Sequence, residues 1–472
     1  MTSALRPRSI WHRLTLSIQA AWALVLVAVL ALNAVLPDAR WYMIHTAGLG
    51  LIGSAILVWT WHFADALTRR RQSQKAQLAR LALMGAGAVQ LGVAMAGVGR
   101  ASEVLSLTGP TTIMAAMSWH LAALRKALSG GFLGRAAVTL RFHATGAAFL
   151  ILGATFGMLL AVDATSVSMA SLWRRVINLE HDSVALAHSM CMTLGFVGLT
   201  ILGTLVTFGP TVARARMAPR AVELSTRALP LLAGSVLAGA IAAIVGMGRL
   251  SGVFVFAWML ASLLVLVPVA QSWRGSMLSV GDGWFMGAAM SWILAAAGTW
   301  GYQLVASGTR GASPVSNVRF GMMIGAGAVQ MILGALTFLL PVVMGGGPAR
   351  LRVTLERIEP SAAGRWFVIN GGMLIAVLTP SDGVRRAVLV VVVLAAAASF
   401  ALVAVFSLRQ RADGGRASPD HPANSGASRR LGLAGGLSGV NLDRSEANGA
   451  GPGANGGQPE ANGKDRQQGN SR

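Results

Sequence analysis

The sequence predicts an all-α fold, a polytopic membrane helix bundle of about twelve transmembrane helices. Three observations predict it. Of 472 residues, 54% are hydrophobic and only 12% are charged, against roughly 25% charged in a soluble domain. Apolar runs of about 20 residues, long enough to cross a hydrocarbon core, recur along the chain. The 39 Lys and Arg outnumber the 17 Asp and Glu for a net charge of +22, and they fall mainly in alternate loops. This composition excludes an ordinary soluble enzyme, a disordered chain and a disulfide-stapled secreted domain. The single cysteine, Cys191, excludes an intramolecular disulfide and a Cys-based zinc or iron–sulfur site. In this class the expected surroundings are a lipid bilayer, and the positive charge belongs to cytoplasmic loop arginines. No nucleic-acid partner is expected.

The spans, in order, are residues 14–36, 43–64, 78–99, 104–124, 142–163, 184–208, 228–248, 251–270, 284–306, 320–343, 366–380 and 387–408. The first is too long for the apolar core of a signal peptide and no clear cleavage site follows it, so it is expected to stay as helix one. The eleventh is short and interrupted by Asn370, Gly371 and Gly372. Turn signals such as Pro37-Asp38, Arg69-Arg70-Arg71, Gly130-Gly131 and Gly345–Pro348 separate the runs. With the N-terminus inside, inner segments hold 21 cations and outer segments 9. This asymmetry puts both termini in the cytoplasm of a multi-pass protein of the cell (plasma) membrane. Residues 1–13 read as a cytoplasmic N-terminus, 14–408 as the transmembrane domain, and 409–472, rich in Gly, Ser and Asn, as a disordered cytoplasmic tail.

None of the acids lies at mid-span; Asp65, Glu103, Asp163 and Asp282 stand at helix ends or in loops. Ion-coupled carriers and proton pumps keep a carboxylate in the bilayer, so its absence counts against coupled transport and leaves room for a facilitator. The histidines carry more. His12, beside Arg13, reads as interfacial. Six others form two layers. His45 starts helix two on the outer side and His62 ends it inside, about 25 Å away at 1.5 Å per residue. His120 and His143 join His62 in the inner layer, and His181 and His188 join His45 in the outer one. Interfacial anchoring, with Trp59, Trp61 and Trp119 close by, accounts for any one of them. Histidines from different helices at one depth are also what a haem clamp requires. In His188–Met192, the residues His188, Cys191 and Met192 share one helix face at i, i+3 and i+4, a soft donor set suited to copper, and His181 lies seven residues earlier on a similar azimuth. The methionines are equally suited to plain helix packing.

Glycines 195, 198 and 203 on helix six and 325, 327 and 334 on helix ten read as close-packing positions. Gly85–Gln90 lacks the strand–helix context of a nucleotide fingerprint. Helix six contains Ile201-Leu202-Gly203 with Pro210 and Val212 following; helix ten contains Ile332-Leu333-Gly334 with Pro341 and Val343 at the same spacing. The two helices are four apart, and helix two, four earlier, is also glycine-rich. A 4+4+4 pseudo-repeat follows, unlike the six-helix halves of many carriers.

The strings His45–Gly50, Trp59–Phe63, Trp119-His120, Leu194–Leu205 and Leu339–Pro348, on twelve helices of which two, six and ten stand out, resemble subunit I of the haem–copper oxidases and nitric oxide reductases. More closely, the chain is similar to actinobacterial polytopic membrane proteins that occur alone or fused to copper nitrite reductase or multicopper oxidase domains, distant relatives of the NnrS haem–copper proteins. The resemblance covers roughly residues 40 to 400. It implies haem b and/or copper as cofactor, a role in electron transfer, nitric oxide binding or copper handling, and a copper nitrite reductase or multicopper oxidase as partner. It also singles out helices two and six, hence His45 with His188, as the first ligand pair; the inner layer, His62 with His120 or His143, is the second candidate site. The departures are specific. The oxidases carry paired histidines on helices seven and ten, and here both helices have none. The similar proteins often read Ala-His-Ala-His-Leu-Asn at the start of helix six, where this chain has Ala187–Met192 with Met190 and Met192 replacing the second His and the Asn. Oxygen reduction at a binuclear centre is therefore not expected. A bis-histidine haem, a His/Met copper site and a scaffold without cofactor remain, beside a twelve-helix facilitator and a cofactor-free partner of a periplasm-facing copper enzyme.

Overall fold

The computed structural model describes residues 8–68, 73–97, 99–129, 134–165, 180–274, 281–309, 317–345 and 347–412. The expected disordered tail lies outside them from residue 413 onward. Among the described residues no strand occurs. Twelve long helices follow in order: α1 Arg8–Ala31, α2 Ala39–Thr68, α3 Gln74–Ala96, α4 Arg100–Leu128, α5 Ala137–Thr165, α6 His181–Val212, α7 Ala221–Ile244, α8 Gly248–Trp273, α9 Gly281–Ser307, α10 Val318–Met344, α11 Ala349–Leu378 and α12 Asp382–Ala412. Ten are long and apolar enough to cross a membrane; the other two are α4, of 29 residues, and α9, of 27. This is a multi-pass membrane bundle. Its periphery exposes bare apolar side chains such as Leu24, Leu260 and Leu394, as lipid contact demands.

Three helices are internal. Inside the bundle lie 78% of the apolar window of α6, the same share of α10 and 56% of α2, against 17% for α1 and α12. These three carry a shared backbone device. Each contains a π-helical stretch: Thr46–Gly53 in α2, Cys191–Gly198 in α6 and Gly321–Val329 in α10. The wide π turn occurs mostly as single-turn bulges and often at functional sites. Stretches of eight or nine residues at every fourth helix mark the 4+4+4 period in the backbone itself. Glycine permits the stretches to pack. A methyl group at Gly195 would lie 2.6 Å from Phe149 Cγ of α5, and one at Gly198 2.8 Å from the Trp258 ring of α8. In lipid, where apolar burial between helices is not the driving force, such close contact and buried hydrogen bonds hold the bundle.

The weak eleventh span is a full helix because its polar residue is used. Asn370 accepts from Trp292 Nε1 of α9 at 2.8 Å and from Gln330 Nε2 of α10 at 3.2 Å, and donates to Trp366 O. The run begins earlier than residue 366: an amphipathic segment, Gly347–Ile358, and one 3₁₀ turn, Glu359–Ser361, precede Ala362–Leu378. Gly246 and Gly345 close α7 and α10 at φ +78°, where a side chain would be strained. The end of the bundle that gathers Arg125, Lys126, Arg214 and Arg220 is called the basic end below.

Candidate cofactor site

Far from the basic end, α2 and α6 bring His45 and His188 together. Their ring centroids are 6.3 Å apart with planes inclined by 21°. Each ring is fixed the same way. His45 Nδ1 lies 2.9 Å from Trp41 O and His188 Nδ1 2.8 Å from Gly153 O of α5. A carbonyl only accepts, so Nδ1 carries the proton on both rings and Nε2 keeps its lone pair. That is the arrangement in which a protein presents an imidazole to a metal. Among the described residues neither Nε2 has a hydrogen-bond partner. Trp41 stacks on His45 at 4.0 Å. Gly157 makes room for His188: a methyl there would lie 2.9 Å from Cε1.

Both imidazoles line a partly open cavity of about 90 Å³, walled by α2, α6, α9 and α10. Its lining is apolar apart from the two histidines, Ser189, Thr193 and Arg319. Met192, Phe196, Trp300 and Met323 supply the rest of the wall that matters here. That is room for a metal ion with small ligands, below the roughly 300–1,000 Å³ of pockets for drug-sized molecules. The tautomers and the shared cavity fit a metal centre held by both imidazoles.

The other expected ligands fall elsewhere. Met192 lines the cavity, but Cys191 is fully buried on the side facing α5, its Cβ in the space beside Gly153. His181 is largely exposed and pairs with Asp163 at 2.9 Å. Among the described residues no three His, Cys, Asp or Glu cluster as a metal site. The inner layer divides. His120 donates from Nε2 to Thr60 Oγ1 at 2.8 Å, and His143 contacts Thr204 Oγ1 at 3.1 Å; both Thr hydroxyls are already committed as donors to backbone carbonyls. His62 lies instead against His12 of α1, centroids 5.0 Å apart. His12 is not an interfacial residue but a buried one, stacked on Trp59. A second apolar cavity of about 80 Å³, lined by Thr60, Thr200, Thr204 and apolar residues of α2, α6 and α10, adjoins the first through Val197.

Sequence reasoning missed Arg319 and Trp300. Arg319 was counted with the outer loop charges, yet it is a buried residue of α10 at the cavity wall. Trp300 Nε1 is enclosed with no hydrogen-bond partner among the described residues. The usable signal was position: Arg319 stands two residues before the π stretch of α10 begins, at the same end of α10 as His45 on α2.

No family model matches the chain, and no curated protein does. Among solved structures it is similar to a haem–copper terminal oxidase determined as a dimer by cryo-EM, with a TM-score of 0.55 and 11% identity, covering 87% of this chain and 83% of that one. The likeness is one of fold, distant in sequence, and it is the fold that the resemblance to oxidase subunit I implies.

Proposed function

We propose that the protein binds haem b or copper between His45 and His188 and serves nitrogen-oxide, respiratory or copper metabolism in the cell membrane. The observation that carries this reading is the matched pair of imidazoles, each pinned through Nδ1 and each presenting a bare Nε2 to one cavity. A group held there would supply one-electron or gas-binding chemistry. His45 and His188 would hold it; the carbonyls of Trp41 and Gly153 fix their tautomers. Phe196, Trp300 and Met323 keep the site apolar, Met192 stands beside it as a thioether, and Arg319 places one cation at its edge. The missing histidines of α7 and α10 speak for electron transfer, nitric oxide binding or copper transfer rather than oxygen reduction. By the same resemblance the partner is a periplasm-facing copper nitrite reductase or multicopper oxidase.

The test is a reduced-minus-oxidised visible spectrum with metal analysis on protein purified from haem- and copper-replete cells. A haem b band near one per chain, or one copper, is expected in the wild type and absent from His45→Ala and His188→Ala. A colourless, metal-free wild type overturns the reading. One observation favours a second function, facilitation of a small uncharged solute: two cavities lie on the α2–α6–α10 axis and meet at Val197. Solute uptake by proteoliposomes that survives His45→Ala would support it.

A further inference from the structure

Near the other end of the bundle a cation is buried without a counter-charge. Arg80 is the seventh residue of α3 and only 2% exposed. Its Nε is enclosed with no hydrogen bond, and among the described residues the guanidinium makes no ion pair. The carboxylates that do form ion pairs, such as Glu223, Glu356 and Glu359, engage other arginines. What Arg80 does meet is the face of Trp119 on α4, 5.8 Å from Cζ to the ring centroid. A cation–π contact offsets only part of the desolvation of a guanidinium. Buried charges are otherwise paired, so a donor fork left open in this way calls for an anion from outside the chain.

Depth says which anion. α3 has 23 residues, about 35 Å at 1.5 Å per residue, against a hydrocarbon core of about 30 Å. Arg80 stands about 9 Å from its first residue, and helical side chains lean toward the N-terminus, here the basic end. That carries the guanidinium to the edge of the hydrocarbon, the level of lipid headgroups. Trp119, 43% exposed, occupies the same level, as interfacial tryptophans do. A planar guanidinium is the side chain best matched to a tetrahedral oxyanion.

We propose that Arg80, roofed by Trp119, binds a phosphate oxyanion at the junction of α3 and α4, supplied by the headgroup of an anionic phospholipid. The site is separate from the His45–His188 pair and does not depend on its cofactor. Native mass spectrometry of the full chain counts the phospholipid retained after a delipidating wash, and thermal midpoints are compared in nanodiscs of phosphatidylcholine with and without phosphatidylglycerol. The wild type is expected to retain one phosphatidylglycerol and to gain several degrees from it. Arg80→Gln loses retention at least tenfold and loses the gain; Arg80→Lys, which keeps the charge without the fork, is intermediate. Stabilisation of the wild type by inorganic phosphate in detergent, lost in Arg80→Gln and unaccompanied by lipid retention, assigns the same site to a free anion. Equal retention and equal midpoints in wild type and Arg80→Gln overturn the proposal. Where Arg80→Gln does not accumulate as folded protein, Arg80→Lys and Trp119→Ala carry the comparison, and unchanged retention in both overturns it as well.

Discussion

His188 is placed as much by a missing side chain as by its own. Gly153 gives it a carbonyl at 2.8 Å, and Gly157, one turn on, leaves the space its ring fills. Gly157→Ala would put a methyl 2.9 Å from Cε1, so the ring must shift or the helices must part. Overpacking of this kind costs about 1–3 kcal/mol, enough to weaken retention of the metal centre proposed at His45 and His188 by about tenfold; the ratio of that group to protein after gel filtration reads it. Cys191 offers the complementary case. It faces α5 and lies outside the cavity lining, so Cys191→Ala is expected to leave metal and haem content unchanged. Met192→Leu removes a cavity thioether and lowers copper content if copper is the resident group. A loss of metal in Cys191→Ala with none in Met192→Leu would reverse this assignment.

At the scale of elements, the helices need glycine where a neighbour closes in, as in the π stretch of α6, and tolerate a side chain where none does. Gly195→Ala meets Phe149 at 2.6 Å, whereas Gly234 on α7 has nothing within 4 Å. Gly195→Ala is expected to lower the unfolding free energy by about 1–3 kcal/mol, and Gly234→Ala to leave it unchanged or raise it by up to about 1 kcal/mol. Thermal midpoints in one detergent compare the two. The α9–α10–α11 contact rests on Asn370. Asn370→Ala leaves Trp292 Nε1 and Gln330 without their shared acceptor, a loss of about 1–3 kcal/mol, visible as a lower midpoint and as earlier proteolysis of α11.

The whole molecule is arranged around α2, α6 and α10, with the remaining helices covering them in outer hairpins. Because the one native cysteine is buried, it stays silent to a membrane-impermeant maleimide and leaves a clean background for single cysteines elsewhere. A cysteine at Ser73, at the basic end before α3, is expected to react only after cells are permeabilised, and one at Gly99, between α3 and α4, in intact cells. The opposite pattern would invert the orientation that the loop charges predict.

Fold class was legible because hydropathy is a one-dimensional property: each span is a contiguous run, and its length and apolar content together decide whether it can cross a bilayer. The period of four helices was legible too, in two proline-containing strings on helices six and ten. The site was half legible. His45 and His188 share a depth, and depth follows from counting residues along helices. Sequence could not tell which histidines at one depth face each other, because azimuth depends on how helices rotate against their neighbours. The inner layer therefore divided, with His62 turning to His12 and His120 to Thr60. Nor could it separate the charges that cap a helix from those drawn under it. Arg80 and Arg319 are among the 21 inner and 9 outer cations of the charge asymmetry, and only packing showed both to be buried. Composition and order determined that the chain is a twelve-helix membrane bundle with imidazoles in two layers. Tertiary structure alone decided which imidazoles meet, because side chains on separate helices are brought together by interhelical contacts that no single segment encodes.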